Sequence, residues 1–164
     1  MRRVILLIIL LVIIASPGFS SPNGNKHNHH HGHGRWELGV ALGGVYLLNE
    51  DEFALGMHFH VLRRLDGLQR LNIGLGFETV FDEHTHFNSS IVFKYDIWKG
   101  LSGLVSPGVL LLKHDNSWER HFSTHFEILY EFQVGHFHIG PVLEYSYAKN
   151  DNHVMLGLHL GYSF

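Results

Sequence analysis

Histidine is the side chain with the most chemistry to offer in this sequence. The chain of 164 residues holds 16 histidines, more than its 12 lysines and arginines together. Five of them fall in one short run, His27, His29, His30, His31 and His33. A neutral imidazole nitrogen is a good ligand for Zn, Ni or Cu, and a flexible run can fold several rings around one ion. Such tracts are a compositional signal of metal binding, although a solvated linker has the same composition.

A second set of histidines recurs farther along, interleaved with acids. His58, His60, His86, His121, His125, His136, His138 and His159 share a face with Glu37, Glu78, Glu127, Glu131 and Glu144 if the chain runs as strands. Of these, His125, Glu127 and His159 are expected near mid-height of such a structure, with Glu144 and Glu78 above them. They could form a metal site or a hydrogen-bonded, ion-paired filling. Lys94 is the one obvious lysine on the same face, so the acids lack ordinary cationic partners. Histidinium or a bound divalent cation would fill that role.

Other chemistries are bounded by composition. Cysteine is absent, which removes disulfides, thiolate metal sites, a cysteine nucleophile and a lipidated cysteine. A formal net charge of -3 provides no basic field for nucleic acid.

The elements that must position these residues begin with an export signal. Arg2 and Arg3 precede an apolar run from Val4 to Ala15, which Pro17 and Gly18 end. That run is too short for a spanning helix, which needs about 20 residues, and suits a signal peptide over 1–20. Ser21 to Gly34 is a low-complexity stretch with nothing to bury, expected to be disordered in isolation.

From Trp36 onward the pattern alternates with period two. Eight segments are expected: 36–48, 53–63, 71–81, 85–98, 102–113, 118–132, 136–147 and 153–164, joined by turn residues such as Asp66-Gly67, Lys99-Gly100 and Gly135. Each is long enough to cross a bilayer as a tilted strand of about 9–11 residues. In the first, Trp36, Leu38, Val40 and Leu42 oppose Glu37, Gly39, Ala41 and Gly43. In the last, Leu156, Leu158, Leu160 and Tyr162 oppose Gly157, His159, Gly161 and Ser163. A soluble barrel would place a Lys/Glu-rich face in water. Here the polar face is Gly, Ser, His and isolated Glu, which suits a narrow interior, and the Leu/Phe face suits lipid. With both termini periplasmic, aromatics gather into two girdles, Trp36, Trp98, Tyr130 and Tyr162 at one rim and Phe53, Phe81, Trp118 and Tyr147 at the other. The fold expected over 35–164 is an all-β, eight-stranded, antiparallel, up-and-down transmembrane β-barrel.

The final strand, LGLHLGYSF ending in Phe164, resembles the C-terminal signature of bacterial outer-membrane proteins. With eight strands and a signal peptide, the chain resembles the small outer-membrane barrels of the OmpA/OmpX class. The resemblance implies a Gram-negative outer-membrane location, contact with outer-membrane lipid, a tail over 21–34 in the periplasm, and recognition of the last strand by the barrel assembly machinery. It is one of pattern and terminus, and it implies fold and place more than function. His121-Phe122-Ser123 also resembles the His-x-Ser element of lipid A 3-O-deacylases, with Glu131 or Glu144 as a third member, but its parity points it away from lipid. The preferred expectation is a non-enzymatic barrel that binds Zn, Ni or Cu through its tail and lumen. A purely structural envelope barrel is the competing reading. An eight-stranded lumen filled with side chains leaves no continuous channel, which argues against a general porin.

Overall fold

The structure is a computed structural model that describes residues 35–82, 85–114, 117–149 and 151–164. The expected signal peptide (1–20) and the tail (21–34) with His27, His29, His30, His31 and His33 lie outside the described residues. The described chain forms β1 (Trp36–Leu47), β2 (Glu52–Leu65), β3 (Leu68–Phe81), β4 (Thr85–Trp98), β5 (Leu101–His114), β6 (Ser117–Tyr130), β7 (Phe132–Val134), β8 (Phe137–Ala148) and β9 (His153–Ser163). Every pairing is antiparallel, in the order β6-β5-β4-β3-β2-β1-β9-β8-β7, and β6 pairs with β8 to close the barrel.

The short β7 continues the sixth stave of the barrel. Leu129 pairs with Val142 and Phe132 with Ile139, so one register runs through β6 and β7 against β8. The interruption lies opposite Pro141, which has no N–H to give to the ladder. The sixth segment expected over 118–132 is thus one stave with a gap at Glu131 on its β8 side, while on the β5 side the Glu131 N–H continues the ladder to the carbonyl of Gly100 at 2.7 Å. The closed barrel therefore has eight staves.

Trp36 and Phe164 exchange backbone hydrogen bonds of 3.0 and 2.9 Å, which puts both chain ends of the barrel at one rim. The turns Asp66–Gly67, Lys99–Gly100 and Gly135–His136 lie at this terminus end. The strand ends Leu47, Glu52, Phe81, Thr85, Ala148 and His153 lie at the opposite, loop end.

The alternation read from sequence sets the two faces. Leu42, Leu75, Phe77, Phe122, Phe126, Leu158 and Leu160 are exposed on the outside, and aromatic side chains from both expected girdles are exposed with them. A face this apolar has no stable place in water and matches the lipid-facing band of a transmembrane barrel. The inside is buried and mixed: Ser, Asn, His and Glu alternate in height with Leu62, Val92, Leu104, Leu129 and Val142. This polar-in, apolar-out arrangement is the fold class expected above.

Candidate metal centre

Glycines make the lumen wide enough for rings. A Cβ on Gly39 would overlap the His60 and His159 imidazoles, and one on Gly161 would overlap His138. These two backbones, paired with each other between β1 and β9, leave the space that the rings occupy. His60 and His159 stack with centroids 5.2 Å apart, and His138 and His159 stack at 5.6 Å.

The inward side chains sort into levels along the barrel. Nearest the loop end, His86 of β4 lies 3.4 Å from Asp82 and 3.2 Å from Asp151. Asp151 belongs to the connector between β8 and β9. Its carboxyl is held well below the usual range, because hydrogen bonds and charge from His153 and His86 outweigh the upward push of burial.

The next level is the densest. His125 Nδ1 lies 2.7 Å from Glu144 and 2.9 Å from Glu78, and His153 Nε2 lies 3.0 Å from Glu78. All four residues are buried, and one ligand atom from each falls within 4.8 Å of the others. A cavity of about 10 Å³ lies beside them, room for one water-sized particle. Asn88 hydrogen-bonds His125 Nε2, and the Ser123 hydroxyl donates to Asn88 Oδ1 at 2.8 Å. The amide fits either way round. With its nitrogen toward the ring, His125 Nδ1 carries the proton and donates to the carboxylates. With its oxygen there, Nε2–H donates to Asn88 and Nδ1 presents a lone pair to a cation.

Just below, His58 Nδ1 lies 3.3 Å from Glu127 and 3.7 Å from Glu144. Nearer the terminus end, Glu37 and Glu131 bracket Lys94, whose Nζ lies 2.8 and 2.9 Å from them. His60 lies 3.4 Å from Glu37, and His138 and His159 lie 3.1 and 3.5 Å from Glu131.

No two of the three lumen ligands named from sequence therefore share a group. His125 sits with Glu78, Glu144 and His153; Glu127 sits with His58 and Glu144; His159 sits with Glu131, His138 and, in a further triad, Glu37 and His60. Glu144 and Glu127 are register partners across the β6–β8 seam. His136 does not enter the lumen. It lies in the turn before β8 and is exposed, because strand parity does not extend into a turn. His121 is half-buried and pairs with Glu119 at 3.2 Å. It does not engage Ser123, whose hydroxyl is spent on Asn88. The His121-Phe122-Ser123 resemblance to the deacylase element is thus not matched by a His–Ser contact.

His153 was missed, and its signal was available. It lies six residues before His159, on the same parity, at the first residue of β9.

Charge identifies the level that wants a cation. Among the described residues Lys94 is the one buried lysine or arginine, and it serves Glu37 and Glu131. Glu78, Glu127 and Glu144 are buried with histidines alone. Carboxylates taken out of water need compensation worth several kcal/mol each (about the effective penalty per buried ion). Protonated rings or a divalent cation can provide it. Two imidazoles and two carboxylates are a ligand set suited to Zn, and acceptable to Ni or Cu.

Fold and lumen together define a small eight-stranded transmembrane β-barrel with a polar, acid- and histidine-filled interior. No protein-family model matches the chain, and no curated protein sequence matches it. Solved structures do. Neisserial surface protein A is similar with a TM-score of 0.53 at 9% identity, covering 79% of this chain and 96% of that one. The Yersinia pestis outer membrane protein Ail, in a phospholipid bilayer nanodisc, is similar with a TM-score of 0.50 at 13% identity, covering 78% and 99%. At such identities the likeness is one of fold, and the fold is that of small outer-membrane barrels.

Proposed function

We propose that this chain is a non-enzymatic outer-membrane barrel that binds a divalent transition cation in its lumen, at Glu78, His125, Glu144 and His153. The observation that carries the reading is the convergence of these four buried ligands, with no lysine or arginine among them. The His27–His33 run supplies a second ligand set on the periplasmic side, downstream of a cleaved signal peptide over 1–20. The barrel contacts outer-membrane lipid through its Leu/Phe face, reaches the membrane through the barrel assembly machinery acting on the strand that ends in Phe164, and has no nucleic-acid partner. The likeness in fold to Neisserial surface protein A and Ail supports the location.

The competing reading is a purely structural envelope barrel, in which histidinium alone balances the acids. The observation in its favour is that each lumen acid already has a histidine or lysine within 4 Å.

Calorimetric titration of Zn, Ni and Cu into the refolded mature chain decides between them. Three proteins are compared: the full chain, one lacking 21–34, and Glu144→Gln. The proposal expects a binding event that survives loss of the tail and disappears in Glu144→Gln. Binding that disappears with the tail alone moves the site to the periplasmic run. No binding tighter than about 1 mM, some 4 kcal/mol, leaves the structural barrel.

A further inference from the structure

The lumen is asymmetric along its axis, and the asymmetry bears on how a cation would reach it. On the loop side of the Glu78–His125–Glu144–His153 group, the cavity is lined by His86, the second residue of β4, and Asp151, in the β8–β9 connector, together with Val80 and Leu110. On the other side the way is filled. Leu104 is the cross-strand partner of Lys94, and Leu62, Leu104 and Leu129 are inward-facing and almost fully buried. Within this apolar packing the Lys94 ammonium bridges Glu37 and Glu131.

That ammonium sits where a metal would otherwise go. Glu37 with His60 and His159, and Glu131 with His138 and His159, are each close enough to share an ion, and all of these residues are buried or half-buried. His159 lacks a hydrogen-bond partner on either ring nitrogen. The lower group is thus a metal-type ligand set whose cation position is taken by a side chain. A second cation approaching it would meet a fixed like charge in a poorly screened interior.

Resting on the metal reading above, we infer that the lumen is a one-ended cation receptor. Divalent ions reach the Glu78–His125–Glu144–His153 site from the loop end, past His86 and Asp151, and stop there because Leu62, Leu104 and Leu129 fill the way beyond and Lys94 occupies the lower cation position. The lumen site is then loaded from the loop end, and the barrel takes up metal without conducting it.

Vesicles with an entrapped zinc-sensitive dye, reconstituted with the mature chain, test this. Wild type is expected to bind one Zn per barrel in the lumen and give no dye response above protein-free vesicles. Lys94→Gln is expected to bind a second ion from the terminus end, since the fixed positive charge has gone, and to give no dye response, because Leu62, Leu104 and Leu129 still fill the way. Lys94→Arg keeps the charge and takes one ion. Zinc passage through wild type or Lys94→Gln, or a Lys94→Gln barrel that still takes one ion, overturns the inference. If wild type takes no ion in its lumen, the metal reading itself falls instead, which is a separate result.

Access can also be read with Lys94 intact, because the chain has no native cysteine. His121, half-buried two residues beyond Ser123 toward the loop end, and Asp96, two residues beyond Lys94 toward the terminus end, are changed singly to Cys and capped with a bulky maleimide. A cap at 121 is expected to slow zinc exchange by about tenfold, one obstruction in a narrow lumen, and a cap at 96 to leave it unchanged. The reverse pattern overturns loop-end access.

Discussion

Glu127 and Glu144 are register partners across the β6–β8 seam that closes the barrel, and both are buried, at 4% and 0% exposure. Like charges directly opposite each other on adjacent strands repel, so this pair needs a cation between or beside it. His58 faces both, and His125 reaches Glu144 as well. The closure of the barrel and the candidate site are therefore one electrostatic problem.

A metal that answers it should stabilise the folded state. At a free concentration about one hundred times its Kd, a ligand specific for the native form adds about 2.7 kcal/mol. Unfolding of the refolded mature chain in urea, with and without Zn, should show a gain of that order. Glu144→Gln should remove the gain, because it takes a carboxylate from the four-ligand group. A zinc-dependent shift that persists in Glu144→Gln would place the ion elsewhere.

The separation of His125 from His159 gives a sharper test of position. His125→Ala should weaken zinc binding by at least about 10–100-fold, the range seen even for groups that only support a ligand. His159→Ala should leave the affinity within about twofold, since His159 lies in the groups around Glu131 and Glu37. Calorimetry on both variants, with heat-modifiable migration as the check on folding, separates a shared mid-barrel site from the one assigned here.

That distinction shows where the sequence was legible. Parity alone put Glu78, Glu127, Glu144, His125 and His159 on the inner face, and the structure has all five buried there. Height was harder. It depends on register, and a pairing such as Glu127 with Glu144 is set by strand stagger across a seam that joins β6 to β8, which alternation does not encode. Pro141 was visible, but its effect on the ladder needed the partner Tyr130 to be known. His136 failed for a local reason, a turn residue read with strand parity. His153 needed only the parity of β9 carried back to the first residue of that strand.

Asp151 carries the pH dependence outside the strands. Its carboxyl is depressed in the folded state by His153 and His86. A depressed acid stabilises the fold above its unfolded value, about 4, and loses that contribution as pH falls through the folded one. Asp151→Asn should therefore be less stable than wild type at pH 7, by about 1.5–3 kcal/mol, the range for one hydrogen bond to a charged group. The gap should close as pH falls from about 4 into strong acid. Denaturant unfolding across that range checks the sign: a gap that widens on acidification would contradict the pairing seen here.

The outer face offers a test of orientation that does not involve metal. Leu158 of β9 is 61% exposed and pairs with Leu42, which is 52% exposed, in the middle of their strands. Tyr147 lies near the loop end of β8, in the upper aromatic girdle. If the apolar band faces lipid, Leu158→Arg should cost about 2–4 kcal/mol in phospholipid vesicles, and Tyr147→Arg about 0–1, because the penalty for a charge is greatest at the bilayer midplane. Unfolding of the two variants from vesicles and from detergent micelles gives the comparison. Equal penalties at the two positions would mean that Leu158 does not sit near the midplane. A large penalty at Leu158 alone would fix the depth of the barrel, and with it the level of the proposed metal site, relative to the membrane.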